Sequence, residues 1–112
     1  KQAPARALID AGAAVALATD FNPGTSPTVN FPLILTLGVS QLRMSASEAL
    51  VAATVNGAAA LGLAGTVGQL APGFSADLAI FDVGDFREIP YWYGDRRCKA
   101  AWARGKPCHP HA

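Results

Sequence analysis

The sequence predicts an α/β fold for a small domain of 112 residues. Residues 4–11, PARALIDA, suit a short helix. Residues 13–19, AAVALAT, form a continuous apolar run, which is typical of a strand buried on both faces of a parallel sheet. From residue 65 onward glycine and proline recur every few residues, which favours short strands and turns. These three observations predict helices and a buried strand first, and a β-rich part after them.

The first helix and the apolar run are joined by a glycine. Pro4 suits the first helical position, and Gly12 suits the left-handed stop after the helix. A helix, a glycine turn and a buried strand make half of a repeating α/β unit. A parallel strand needs parallel neighbours, and the sequence holds no second run of this kind. We therefore expect the chain to be a piece of a larger α/β protein.

The next stretch predicts two further helices. Residues 28–42, TVNFPLILTLGVSQL, form a helical pattern with a proline near its start. Ser45 and Glu48 match a capping box, in which the two side chains bond the free backbone amides of a helix start. The helix that this box opens extends into LGL at residues 61–63, and Gly57 is its expected break or close-packing point.

The part after residue 65 predicts a β-rich appendage. A short strand, a Pro72-Gly73 turn and a strand over ADLAIFD, residues 76–82, are expected in that order. Residues 98–107, CKAAWARGKP, predict a last strand with a turn at Gly105. The change of composition near residue 65 divides the chain into two predicted domains, 1–64 and 65–112.

Charge and hydropathy restrict the expected partners. The chain has 9 basic and 8 acidic residues and a net charge of +1, which gives no electrostatic reason to expect nucleic acid or an anionic membrane. No apolar run approaches the roughly 20 residues that a membrane-spanning helix needs. Charged residues make up 15% of the chain and apolar residues 51%, against about 25% charged in ordinary domains. We therefore expect other protein to cover some of the apolar surface, either another subunit, as in a homo-oligomer, or further parts of the same polypeptide.

The cysteines and histidines near the end of the chain predict little chemistry. Cys98 and Cys108 form neither a disulfide framework nor a CxxC pair, which favours a reduced, cytoplasmic setting. Cys108, His109 and His111 could suggest a metal site of their own. Without a second cluster of ligands this signal is weak, because zinc sites take three or four ligands in a defined geometry. We expect no native metal site there.

The stretch that could form a catalytic or binding site is TDFNPGTSP, residues 19–27. Asp20 ends the apolar run, and in covered parallel sheets ligands lie beyond the carboxyl ends of the strands. A carboxylate there needs a cation, donors or water, because burying it unpaired is costly. The residues that follow supply donors and a tight turn: Asn22, Pro23, Gly24, Thr25 and Ser26. Spacing alone leaves two interpretations open, a site that holds a polar substrate beside a metal or an aspartate that caps or braces a loop.

Several blocks of sequence carry a resemblance to a known family. TDFNPGTSP, the SASEAL helix with ATVNGAAALGLAG, and VGQLAPGFSADLAIFDV occur in this order, followed by REIPYWYGDRRCKAAWARGKP. Together, over about residues 7–107, they resemble the carboxyl-terminal part of the amidohydrolase superfamily. The resemblance implies a metal-bearing (β/α)8 barrel with a small β-sandwich. Residues 1–64 would then form the end of the barrel, and residues 65–112 would form part of the sandwich.

The same resemblance implies roles for four residues. Asp20 would end the last barrel strand, bind a zinc or iron ion and handle the proton of the attacking water. Asn22 and Gly24 match positions that hold the acidic arm of the substrate or the product, and Thr25 matches a substrate contact. The implied activity is hydrolysis of a cyclic amide bond in a small molecule.

Two alternatives stay open beside this activity, another ring substrate and a non-enzymatic domain that associates with itself. The family's metal also needs histidines, and the two histidines of this chain, His109 and His111, do not match them. We therefore expect the chain by itself to lack both the metal and the activity.

Overall fold

The computed structural model describes residues 1–108. Within them the elements follow in the order α1 (Ala5–Asp10), α2 (Phe31–Ser40), α3 (Ala46–Ala53), α4 (Val55–Ala60), β1 (Leu78–Phe81), α5 (Glu88–Tyr91), β2 (Cys98–Ala103) and β3 (Lys106–Cys108). The α/β class is confirmed, with helices in the first part and a small antiparallel sheet in the second. The barrel, the sandwich and the domain boundary at residue 65 stay predictions.

The first helix forms close to where the sequence predicts it. Pro4 is the residue before α1 rather than its first residue, so its missing N–H lies just outside the helix. Gly12 has φ of +87°, and it provides the left-handed conformation that ends the helix.

The predicted buried strand over residues 13–19 is wrong, because this segment forms no strand in the structure. The side chains of Val15 and Leu17 are half-buried and alternate with exposed alanines, as expected of an extended segment. The Leu17 N–H donates to the carbonyl of Ala52 at 3.1 Å, and the amide of Asn56 donates to the carbonyl of Val15 at 2.9 Å. The segment therefore packs on α3 and α4. A strand needs a neighbouring strand for its backbone groups, and the described residues provide none here.

Helix α2 starts with a side-chain cap. The Asn30 oxygen accepts from the Leu33 N–H at 3.1 Å, and a proline occupies the first turn, as predicted. The buried Thr36 hydroxyl donates to the carbonyl of Pro90 at 2.8 Å, which joins α2 to α5. Sequence patterns predicted no helix at α5.

The capping box of α3 is confirmed. The Ser45 hydroxyl accepts from the Glu48 N–H at 3.1 Å, and the Glu48 carboxylate accepts from the Ser45 N–H at 2.9 Å. Of the two roles predicted for Gly57, the break is wrong, since the helix divides at Thr54, where φ is −115° and ψ is −82°. At Gly57 an added Cβ would lie 3.6 Å from the carbonyl oxygen of Ala52, which is an ordinary contact distance. The Thr54 hydroxyl donates to the carbonyl of Leu50 at 2.7 Å, and back-bonding of this kind distorts helices.

The three strands form one antiparallel sheet in the order β1-β2-β3. The expected strand within residues 76–82 is β1, and the expected last strand folds into the hairpin of β2 and β3. Arg104 and Gly105 form the hairpin turn with φ of +53° and +75°, as a two-residue turn with positive φ at both positions requires. The short strand expected before Pro72 does not form, and turns and bends occupy that stretch.

The described core is built from small side chains. Ala5, Met44 and Ala52 form a buried cluster, against which Val15 and Leu17 of the extended segment pack. Alanines fill little volume, so the cluster mainly brings α1, the extended segment and α3 together. The loop that follows therefore starts from a segment that is anchored on α3 through Leu17. No helix within residues 1–108 is long and apolar enough to cross a membrane.

Candidate functional site

The candidate site is the loop over residues 19–27, directly after the extended segment. Asp20 is exposed and has φ of +50°, a left-handed conformation that aspartate tolerates better than most residues. The backbones of Asn22 and Ser26 pair with each other, with N–H to carbonyl distances of 3.0 and 3.3 Å. This pair closes the turn through Pro23, Gly24 and Thr25 into a compact loop.

The Asn22 side chain holds the inside of this loop. Its Oδ1 accepts from the Gly24 N–H at 3.0 Å, from the Thr25 N–H at 2.8 Å and from the Thr25 hydroxyl at 3.2 Å. Its Nδ2 donates to the carbonyl of Asp20 at 2.6 Å. A Cβ at Gly24 would lie 3.3 Å from Asn22 Oδ1, so glycine permits the close approach.

A second side chain joins the loop to the segment before it. The Ser26 hydroxyl donates to the carbonyl of Thr19 at 2.5 Å. Sequence reasoning gave Ser26 only the role of a possible donor. The bond spans seven residues and depends on how the loop closes, so no local spacing rule indicates it.

The structure brings the four predicted site residues together in one loop: Asp20, Asn22, Gly24 and Thr25. Among the residues from 1 to 108, no group donates a hydrogen bond to the Asp20 carboxylate, so the carboxylate is free to meet a ligand. The arrangement offers one exposed carboxylate beside backbone amides, an amide side chain and a hydroxyl. Chemically, the carboxylate can accept a proton, and among the described residues the second N–H of the Asn22 amide is left to donate to a small polar group, because the other donors of the loop bond Asn22 Oδ1.

The part of the chain that the structure describes does not fit a metal ion by itself. Within it, no three side chains of His, Cys, Asp or Glu come together in a possible metal site. Asp20 offers one carboxylate, whereas zinc takes three or four ligands. In the weak terminal candidate, Cys108 is exposed, and His109 and His111 lie outside the described residues.

Comparisons with known proteins cover nearly the whole chain. The Amidohydrolase family matches residues 1–107. An imidazolonepropionase of Geobacillus kaustophilus (strain HTA426) is 50% identical over 106 residues, which are 95% of this chain and 25% of that protein. An imidazolonepropionase of Rubrobacter xylanophilus is 53% identical over 91 residues, which are 81% of this chain and 22% of that protein. The chain spans about a quarter of the length of the curated relatives that it matches.

Among solved structures, the chain is similar to an E. coli guanine deaminase, with a TM-score of 0.74 and 24% identity. The match covers 96% of this chain and 30% of the deaminase, and it shows a shared fold. The family match and the curated relatives agree with the resemblance in the sequence blocks around the Asp20 loop. The chain belongs to the amidohydrolase family.

Proposed function

We propose that this chain works as the carboxyl-terminal part of a metal-dependent hydrolase that opens a cyclic amide. The proposed reaction converts 4-imidazolone-5-propanoate and water into N-formimidoyl-L-glutamate. The observation that carries the proposal is the 50% identity to an imidazolonepropionase over 95% of this chain. The closed polar loop around Asp20 supports it, because this loop offers a free carboxylate next to donors that suit an anionic substrate.

In this proposal Asp20 handles the proton of the attacking water. The water oxygen adds to the amide carbonyl carbon, the ring C–N bond breaks, and the ring nitrogen gains a proton. Asp20 accepts a proton from the water and returns one to the leaving nitrogen, which is general base and general acid catalysis by one carboxylate. A zinc or iron ion, when bound, supplies water with a lowered pKa, and Asp20 would be one of several ligands.

The same loop would hold the acidic arm of the substrate or the product. Asn22 has two N–H groups, and one of them donates to Asp20, so the other can serve a ligand. The N–H of Gly24 and the N–H and hydroxyl of Thr25 point to a single acceptor, Asn22 Oδ1. The Thr25 hydroxyl can rotate from Asn22 to a carboxylate oxygen of the substrate, while both N–H groups keep their bonds to Asn22, and Gly24 leaves room beside them because it has no Cβ. Asn22, Gly24 and Thr25 are therefore the proposed substrate contacts.

The test is a chimera in which this chain replaces the matching segment of the Geobacillus kaustophilus relative. We expect it to turn over 4-imidazolone-5-propanoate. The Asp20→Asn chimera should lose about 10²–10⁴-fold in rate, because asparagine cannot accept the proton. Its melting temperature should stay close to that of the parent chimera, because asparagine has the same size and tolerates the same backbone conformation.

Three outcomes would contradict the proposal in different ways. Near-normal turnover in the Asp20→Asn chimera would leave Asp20 as a loop residue. Turnover of another ring, such as guanine, in place of the imidazolone would support the alternative substrate. A folded chimera with neither activity would favour the non-enzymatic, self-associating domain.

A further inference from the structure

Two side chains of the loop hold the two peptide groups that flank Asp20. The carbonyl of Thr19 belongs to the peptide group before the Asp20 Cα, and it accepts from the Ser26 hydroxyl at 2.5 Å. The carbonyl of Asp20 belongs to the peptide group after that Cα, and it accepts from Asn22 Nδ2 at 2.6 Å. The φ and ψ angles of Asp20 set the orientation of these two planar peptide groups relative to each other. Holding both of them therefore fixes the backbone of Asp20 and the direction of its Cα–Cβ bond.

Asp20 needs such a restraint. Its φ of +50° lies in the left-handed region, which is less favourable than the right-handed and extended regions for every residue with a Cβ, although aspartate tolerates it better than most. The carboxylate itself has no hydrogen-bond partner among the described residues, so no contact of the side chain fixes its position. The backbone restraint therefore fixes the point and the direction from which the Asp20 side chain leaves the backbone, and rotation of the side chain itself is left to its ligands.

The loop is built so that both restraints act together. The backbones of Asn22 and Ser26 exchange two N–H to carbonyl hydrogen bonds of 3.0 and 3.3 Å. These bonds fix the two residues relative to each other, and with them the positions from which their side chains extend. The bonds from Gly24 and Thr25 to Asn22 Oδ1 fix the plane of the amide. They leave Nδ2 facing the carbonyl of Asp20.

We propose that Asn22 and Ser26 are positioning residues, which fix the Cα–Cβ bond of Asp20 through the two peptide groups beside it and so limit the positions that its carboxylate can reach. The inference rests on the proposed function, in which Asp20 transfers the proton. It adds a role for Ser26 and a second role for Asn22 beside its proposed substrate contact.

The test uses Asn22→Asp and Ser26→Ala in the chimera described above. Aspartate at position 22 keeps an acceptor for Gly24 and Thr25 but replaces the donor to Asp20 with an oxygen. We expect each variant to lower kcat by about tenfold to 100-fold, since misplacing a catalytic group by about 1 Å costs rate of that order. KM should change much less in Ser26→Ala, because Ser26 contacts no proposed substrate group.

A rescue and a matched control separate positioning from general stability. Ser26→Thr keeps the hydroxyl and should restore kcat. Ser40→Ala removes a comparable hydroxyl-to-carbonyl bond of 2.8 Å on α2 and should leave kcat unchanged. Melting temperatures of all variants, together with crystal structures that report φ of Asp20, show whether a variant has moved Asp20 or unfolded the protein.

The outcomes distinguish this inference from the proposed function. Full activity of both Asn22→Asp and Ser26→Ala, with Asp20→Asn inactive, would overturn the positioning role and leave the proposed function intact. A raised KM with unchanged kcat in Asn22→Asp would make Asn22 a substrate contact alone. An active Asp20→Asn would overturn the proposed function itself.

If the full chimera fails to fold, a smaller graft of residues 13–28 into the relative carries the same variants.

Discussion

At the scale of single residues, unusual backbone conformations mark the ends of elements. Within residues 1–108, the non-glycine residues with positive φ are Asp20, Arg43 and Arg104. Arg43 lies just before the capping box, and Arg104 lies in the hairpin turn. The hairpin turn explains the conformation of Arg104, and Gly105 already indicated that turn in the sequence, whereas the carbonyl of Arg43 accepts a hydrogen bond of 3.2 Å from the Arg6 side chain. Asp20 differs, because its conformation depends on side chains two and six residues further along the chain.

One glycine makes a contact that allows a direct test. Gly68 has φ of +95°, and a Cβ there would lie 2.8 Å from the carbonyl oxygen of Thr54 and 2.9 Å from the Cβ of Ala58. We expect Gly68→Ala to destabilise the fold by more than about 1 kcal/mol, because alanine is strained at this φ and would also overlap backbone atoms. Urea unfolding measures the effect.

Gly73 provides the matched control for this substitution. Its φ is +89°, and a Cβ there would meet no atom within 4 Å. Gly73→Ala therefore carries the conformational cost without the overlap, and it should destabilise less than Gly68→Ala. If both variants lost the same free energy of unfolding, the close approach of Gly68 to Thr54 and Ala58 would not contribute to the cost of Gly68→Ala.

At the scale of elements, one cation joins two helices. The Arg6 guanidinium of α1 forms a bidentate salt bridge with the Glu48 carboxylate of α3, with N–H to oxygen distances of 2.9 and 2.8 Å. It also donates a hydrogen bond to the Asp10 carboxylate. The hydrogen bonds from Arg6 and then from Ser45 lower the pKa of Glu48 from 4.5 to about 2. A lowered pKa in the folded state means that the folded state binds fewer protons than the unfolded chain.

The pH dependence of stability follows from that shift. The contribution of Glu48 is fully present above pH 4.5 and is lost as the pH falls toward about 2, where the folded-state carboxylate gains its proton. We expect Glu48→Gln to flatten the decrease in melting temperature over this range and to lower stability at neutral pH. Arg6→Gln should have the same effect, and the double variant should add little to either. An unchanged acid profile in Glu48→Gln would exclude this link as a source of acid sensitivity.

Elements whose signals are local could be predicted from the sequence. The Ser45–Glu48 box and the Gly105 turn each depend on residues a few positions apart, and both formed as expected. The strand predicted over residues 13–19 does not form, because a strand depends on a neighbour that local sequence does not contain. The division at Thr54 has no clear local signal either, since the hydroxyl bond to Leu50 competes with a pattern that otherwise favours a continuous helix.

The candidate site shows the same division between local and distant information. Asp20, Asn22, Gly24 and Thr25 stand close together in the sequence, so their meeting in one loop could be anticipated. The bond from Ser26 to Thr19 could not, because it follows from closure of the whole loop. The ligands that a metal would need beside Asp20 are not assembled within the described residues, so the sequence of this chain cannot specify that site.

At the scale of the whole molecule, the chain leaves much of its apolar surface uncovered. Within residues 1–108, the buried hydrophobic residues are four alanines, one leucine and one methionine, whereas large side chains are exposed, such as Leu70 at 81%, Val29 at 78% and Leu61 at 76%. Exposed apolar area of this kind marks interaction surfaces in soluble proteins. The low share of charged residues, 15%, adds little repulsion between copies.

We therefore expect the isolated chain to associate with itself. The outer edges of β1 and β3 add backbone groups that no other strand among the described residues pairs, because these strands lie at the two ends of the sheet. Sedimentation velocity at tens of micromolar should show species larger than the monomer. Sulfate should increase their share and cooling should decrease it, because both act on apolar burial. A sharp monomer peak at every concentration would contradict this expectation.

Two variants and one partner identify the surface that drives the association. The double variant Leu61→Gln and Leu70→Gln removes two of the most exposed apolar side chains and should shift the equilibrium toward the monomer. Lys99→Gln is the control, and it should leave the association unchanged or strengthen it.

Co-expression with the amino-terminal part of the Geobacillus kaustophilus relative tests what covers this surface in a longer amidohydrolase. A one-to-one complex that no longer self-associates would show that the same surface packs against the rest of the enzyme. Persistent self-association beside an unbound amino-terminal part would instead favour contact between copies of this chain.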